Sequence, residues 1–183
     1  MVVGWIGSPS TWRYVEPLLP TLLEVVRSKG AVFRAVGGGP EAARWPGVDA
    51  RDWSEATEIQ DVQAMDIGIM PVPDEPWARG KCGYKLIQYM ACGLPVVASP
   101  VGVNRQIVRE NVNGFVAEEG SQWASALSRL IGDSALRVRL GQAGCEIVKR
   151  DYSLAAYAPE MVKIVKETYL SGKVSIPAGR ARS

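Results

Sequence analysis

The chain has 183 residues, 47% of them hydrophobic and 22% charged, with a formal net charge of +2. This suits one globular domain able to bury roughly 70% of its unfolded surface; the composition excludes a disordered or membrane-embedded class, and scattered basic residues argue against a nucleic-acid partner. There is no histidine, so Ser-His-Asp or Cys-His catalysis and an H-E-x-x-H zinc site are excluded within this chain.

Cys82, Cys92 and Cys145 are an odd number without C-x-x-C spacing. Free thiols in a reducing, cytoplasmic compartment are therefore expected, and no metal site. The start MVVGWIG lacks a basic leader region, and no apolar run approaches the roughly 18 to 20 residues of a spanning helix.

In chain order, VVGWIG (2–7) is the first apolar, β-branched run and ends in glycine. Val15, Leu18, Leu22 and Val26 then recur at helical spacing up to Gly30. Pro17 and Pro20 interrupt that pattern: one fits a first turn, and the other must cost a hydrogen bond or mark a later helix start. VFRAVGGG (32–39) is a second strand, a helix is expected over 55–63, and DIGIMPVP (66–73) is a third strand. A helix over 84–91 follows, closed by Gly93 with Pro95 beyond it. LPVVASP (94–100) has the continuous apolar character of a strand buried on both faces, and GFVA (114–117) is a shorter candidate. Helices are expected over 122–131, 135–148 and 154–169, with Asp133–Ser134 and Ser153 as caps. A tail closes the chain (171–183), leaving residues 1–170 as one domain.

Strands alternating with helices predict an α/β fold: a Rossmann-like, doubly wound parallel sheet with helices on both faces and a helical C-terminus. Such sheets bind ligands at the carboxyl ends of their strands, where Gly7, Gly37 to Gly39, Gly80 and Gly83 fall. The usual nucleotide fingerprints fail. G-W-I-G-S-P is not G-x-G-x-x-G, and Gly80-Lys81 lacks the Gly and Ser/Thr positions of a P-loop. What remains is a looser anion site. Lys81 and Lys85, with Arg79 upstream, flank the start of the 84–91 helix, whose free N–H groups favour an anion. Gly7-Ser8 leads towards Arg13, and converging cations there suit a diphosphate. Gln88 shares a helix face with Lys85 and can hydrogen-bond sugar hydroxyls. Trp5 and Trp123 read as core, while Trp53 and Trp77 fall in loops where stacking competes with packing.

With these residues assembled, the chain resembles the C-terminal, donor-binding half of a retaining glycosyltransferase of the two-domain GT-B class, similar to family 4. The resemblance runs from VVGWIGSPSTWRYVEPLLPTLLEV through RAVGGGP and IQDVQAMDIGIMPVPDE to YKLIQYMACGLPVVASPVGVNRQIVRENVNGFVAEEG, the most specific part. It implies a nucleoside-diphosphate sugar donor, no cofactor, and a site comprising Gly7, Ser8 and Arg13 by the diphosphate. Gly83 and Tyr84 would cradle the sugar-phosphate, Lys81 and Lys85 would supply charge, and Gln88 would sit on the ribose. Asp49 to Trp53 would approach the nucleobase. Two departures stand out: the family's paired glutamates fall on Gly80 and Gln88, and the arginine common after the first strand is Ser8. No catalytic residue is assigned.

The resemblance also implies that the acceptor domain, with its hydroxyl acceptor and any membrane association, lies outside this chain. The 154–169 helix would cross to that domain or pair with a second copy in a homodimer. Readings from other classes are a nucleotide-sugar epimerase and a non-catalytic interaction domain on the same fold.

Overall fold

The computed structural model describes residues 1–171; the expected tail lies outside them except for Ser171. The elements in order are β1 (Val2–Ile6), α1 (Pro9–Trp12), α2 (Leu19–Ser28), β2 (Val32–Val36), α3 (Gly39–Ala43), β3 (Val48–Arg51), α4 (Glu58–Gln63) and β4 (Ile67–Met70). They continue with α5 (Pro76–Arg79), α6 (Tyr84–Ala91), β5 (Val96–Ala98), α7 (Asn104–Ile107), β6 (Gly114–Val116), α8 (Gly120–Gly132), α9 (Ser134–Asp151) and α10 (Leu154–Leu170). The strands form one six-stranded sheet ordered β3-β2-β1-β4-β5-β6, and every neighbouring pair is parallel. The order reverses between β1 and β4, so the crevice beyond their carboxyl ends is where this topology binds a ligand.

Alternation along the strands sorts the core into two layers. Val3, Trp5, Phe33, Ala35, Ile67, Ile69 and Val97 pack against Leu22 and Val26 of α2 and Trp123, Leu127 and Leu130 of α8. Ile6, Val36, Met70, Val96 and Ala98 pack against Val62 of α4, Leu86, Tyr89 and Met90 of α6 and Ile147 of α9. Trp5 and Trp123 are core residues, each 2% exposed.

The structure differs from the sequence reading at the short elements. The proline-interrupted run is divided: Glu16–Leu18 is a 3-10 turn with Pro17 in its first positions, and α2 starts afresh with Pro20 in its own. Neither ring therefore breaks an interior bond. Strand β3 was not expected. Its VDAR has only two apolar residues, and it pairs at the sheet edge, where Asp49 takes an ion pair from Arg34 of β2 at 2.7 Å. Asp133 and Ser153 cap α9 and α10 by accepting from Leu136 N–H and Ala156 N–H. Helix α10 has no buried residue.

Candidate functional site

Three backbone segments meet at the carboxyl edge of the sheet. The Gly7 N–H donates to Val36 O (3.0 Å), and the Gly37 N–H donates to Arg51 O (2.8 Å), so the loops after β1, β2 and β3 lie side by side. The fourth wall is α6, fixed by Tyr89. Its ring lies against Gly68 of β4, where a Cβ would overlap it. Its hydroxyl accepts from the Ile6 N–H (2.9 Å) and donates to Ile69 O (3.4 Å). Burial holds the Tyr89 hydroxyl far above the usual phenol range, against the lowering effect of the Ile6 N–H. Tyr89 thus acts as a bolt between α6 and the sheet, one turn from Lys85 and adjacent to Gln88.

A cleft of about 230 Å³ results, lined by Ile6, Gly7, Ser8, Trp53, Glu58, Tyr84, Lys85 and Gln88. Gly83 starts α6 with φ +70, and a Cβ there would collide with Ile107; only glycine meets both demands cheaply. The N–H groups of Tyr84 and Lys85 precede the first bond of α6, from Leu86 N–H to Gly83 O at 2.9 Å, and have no acceptor within the helix.

Lys85 dominates the electrostatics. Its ammonium lies 5.0 Å from the centre of the Trp5 ring, and a Cβ on Gly7 would come within 2.9 Å of Nζ, so the absence of a side chain at Gly7 is what admits the lysine. Burial, and then the charge of Lys81, lower the Lys85 pKa to about 8. Lys81 itself stands over the Tyr14 ring at 5.2 Å. Two cations at this end, one of them desolvated, make a place where an anion removes an existing repulsion.

The other end of the cleft is acidic. Glu58, the first residue of α4, accepts a hydrogen bond from Trp53 Nε1 at 2.8 Å through one carboxylate oxygen and one from Gln88 Nε2 through the other. The Trp53 indole, 49% exposed, is held at the cleft wall by that bond. Glu58 was not singled out from the sequence: it is one of several acidic residues in a polar stretch, and only the fold carries it across to Gln88.

The structure therefore brings Gly7, Ser8, Tyr84, Lys85 and Gln88 to one cleft, with Gly83 at the start of its helical wall and Lys81 near enough to act on Lys85 while standing over Tyr14. Arg13 does not line this cleft. It lines a neighbouring cavity of about 440 Å³ with Tyr14, Pro71 to Pro73, Glu75 and Trp123, and its guanidinium lies over Tyr14 while donating to that hydroxyl at 3.3 Å. Lys81 stands over the same Tyr14 ring as this arginine. Arg79 is also not free to serve an anion, since it forks onto Asp74 at 2.6 and 3.0 Å. Gly80 has φ −82, and a Cβ there would meet only Trp77 O at an ordinary 3.6 Å, so the backbone does not require glycine at this position. Among the described residues, no group of three His, Cys, Asp or Glu side chains is placed to hold a metal ion, and no helix is long and apolar enough to cross a membrane.

Comparison with known proteins sets this geometry in context. The family model for glycosyl transferases group 1 matches residues 1–133. A D-inositol 3-phosphate glycosyltransferase of Xylanimonas cellulosilytica is 31% identical over 104 residues, 56% of this chain and 24% of that protein. The chain thus spans about a quarter of the length of that curated relative. Among solved structures, HepE of Anabaena in complex with UDP-glucose superposes with a TM-score of 0.73 at 18% identity, over 91% of this chain and 48% of its own. The C-terminal domain of a group 1 glycosyl transferase, LpcC, from Francisella tularensis superposes with a TM-score of 0.63 at 19% identity, covering 84% of this chain and 86% of that domain. At these identities the superpositions establish the shared α/β fold.

Proposed function

The chain belongs to the glycosyl transferases group 1 family, and from that premise we propose that it is the donor-binding half of an enzyme that moves a sugar from a nucleoside-diphosphate sugar to a hydroxyl acceptor with retention. The observation that carries this reading is the desolvated Lys85 ammonium packed against Gly7 and facing Lys81 at the switch point of the sheet. The likeness to a single C-terminal domain, and to about half of a UDP-glucose-bound protein, supports the donor-half assignment.

The chemistry follows from where charge develops. As the bond from the anomeric carbon to the diphosphate oxygen breaks, negative charge grows on the leaving phosphate. Lys85, Lys81 and the free N–H groups at the start of α6 are already oriented towards that charge, so stabilising it needs little reorganisation. Lys85 is half-occluded from water by Trp5 and Gly7, which strengthens its attraction for the phosphate relative to a surface lysine. The acceptor hydroxyl would be bound by the acceptor half, outside this chain.

Calorimetric titration with UDP, GDP and ADP tests this directly. At least one is expected to bind, with a salt-dependent affinity that Lys85→Ala weakens by about tenfold or more, the scale of one charge-assisted contact. Absence of binding by all three at millimolar concentration would overturn the donor-site reading.

A further inference from the structure

We infer that Glu58 is the residue that recognises the ribose of the donor, a specificity-determining carboxylate brought in from α4 to a place where α6 offers only an amide. The inference rests on the donor-site reading above and identifies which part of the ligand meets the acidic end of the cleft.

The cleft is bipolar. Lys85 marks one end and Glu58 the other, and both line the same 230 Å³ space. A carboxylate in a cleft for a dianion would repel its ligand unless the part of the ligand reaching it carries hydrogen-bond donors. In a nucleoside diphosphate those donors are the ribose hydroxyls and the base edge; the phosphates have none. A carboxylate is acceptor-only, with two oxygens and about four lone-pair sites. Trp53 Nε1 uses one oxygen and Gln88 Nε2 the other, which leaves acceptor capacity on both oxygens. Two adjacent acceptors match two vicinal hydroxyls, a pairing strengthened because the acceptor is charged.

The surrounding hydrogen bonds hold this arrangement in place. Gln88 donates its amide N–H to Glu58, which leaves its own carbonyl oxygen as a further acceptor. The identity of residue 88 thereby acquires a reason. A glutamine can donate to Glu58, whereas a second carboxylate at that position would face Glu58 as a like charge. Trp53, tied by its indole N–H to the same carboxylate, presents a half-exposed ring beside it, a surface on which a planar base can lie next to a bound ribose.

The discriminating experiment compares each of UDP, GDP and ADP that binds with its 2′-deoxy counterpart, by calorimetry, in the unmodified chain, Glu58→Gln and Glu58→Ala. The unmodified chain should prefer the ribonucleotide by about tenfold or more, since a site built to bond a hydroxyl rejects the analogue lacking it. Both variants should reduce that preference to within about twofold by weakening the ribonucleotide most; the 2′-deoxy nucleotide, which keeps only its 3′-hydroxyl for Glu58, should lose less. Glu58→Gln keeps the side chain's shape, and an unchanged melting temperature shows that its fold is intact. A ribose preference that survives in both variants, or an equal loss for both nucleotides, would overturn the inference while leaving the donor site standing. So would an unmodified chain that binds both nucleotides equally. Absence of any nucleotide binding would instead remove the donor-site reading, and this one with it.

Discussion

At the scale of the residue, the site is governed by two side chains held where each is least comfortable alone. Lys85 has its pKa lowered to about 8, first by burial and then by Lys81. Its folded value lies below its unfolded one, so without ligand the unfolded chain holds the extra proton between about pH 8 and the ordinary lysine range. Stability therefore rises with pH across that window. A bound diphosphate reverses the sense by favouring the ammonium. Nucleotide affinity should fall as pH rises through 8 and beyond, and binding near pH 8.5 should take up protons, seen as a dependence of the calorimetric heat on buffer ionisation enthalpy. A pH-independent affinity across this range would place the phosphate away from Lys85.

The Glu58–Gln88 pair gives a second prediction of this kind. Gln88→Glu sets two carboxylates against each other and should cost about 1 kcal/mol at neutral pH. The deficit should disappear as pH falls through the carboxylate range, where one partner regains a proton to donate; paired melts at pH 7.5 and pH 4.5 measure it.

At the scale of the element, the site depends on how α6 begins and on what fastens it. Gly83, with φ +70 and Ile107 in the way of any Cβ, should tolerate alanine poorly, with Gly83→Ala costing roughly 1 to 3 kcal/mol. Gly80, three residues earlier, has ordinary backbone angles and room for a Cβ at van der Waals contact with Trp77 O, so Gly80→Ala should change stability by no more than about 0.5 kcal/mol. Chemical denaturation of the two variants separates these roles.

The same contrast shows what the sequence could convey. The α6 and β5 pair was legible because YKLIQYMACGLPVVASP carries helical spacing, a glycine stop and a buried apolar strand in unbroken order. Strand β3 was not, because an edge strand of four residues held by Asp49 and Arg34 needs little apolar pattern. Lys81, Gly83 and Lys85 were legible as local chemistry around one helix start. The convergence of Glu58, Trp53 and Gln88 was not, since positions 58 and 88 are 30 residues apart and only the parallel crossover of β4 brings their helices together. The place of Arg13 was not legible either: five residues after Ser8, it lies beyond α1 and lines the neighbouring cavity, sharing the Tyr14 ring with Lys81.

At the scale of the whole molecule, the sheet order β3-β2-β1-β4-β5-β6 places one crevice between two half-domains of strands, and everything polar in the site comes from segments leaving that edge. Helix α10 stands apart, with Leu154, Tyr157, Met161, Val165 and Tyr169 all exposed. On the proposed reading the cleft between Gly7 and α6, and not the larger cavity around Arg13, receives the nucleoside diphosphate. A crystal structure of the chain grown with the tightest-binding nucleoside diphosphate tests this most directly. Phosphate density is expected against Lys85 Nζ and the first turn of α6, with the nucleoside running towards Glu58 and Trp53; density seated instead among Arg13, Pro71 to Pro73 and Trp123 would overturn that placement.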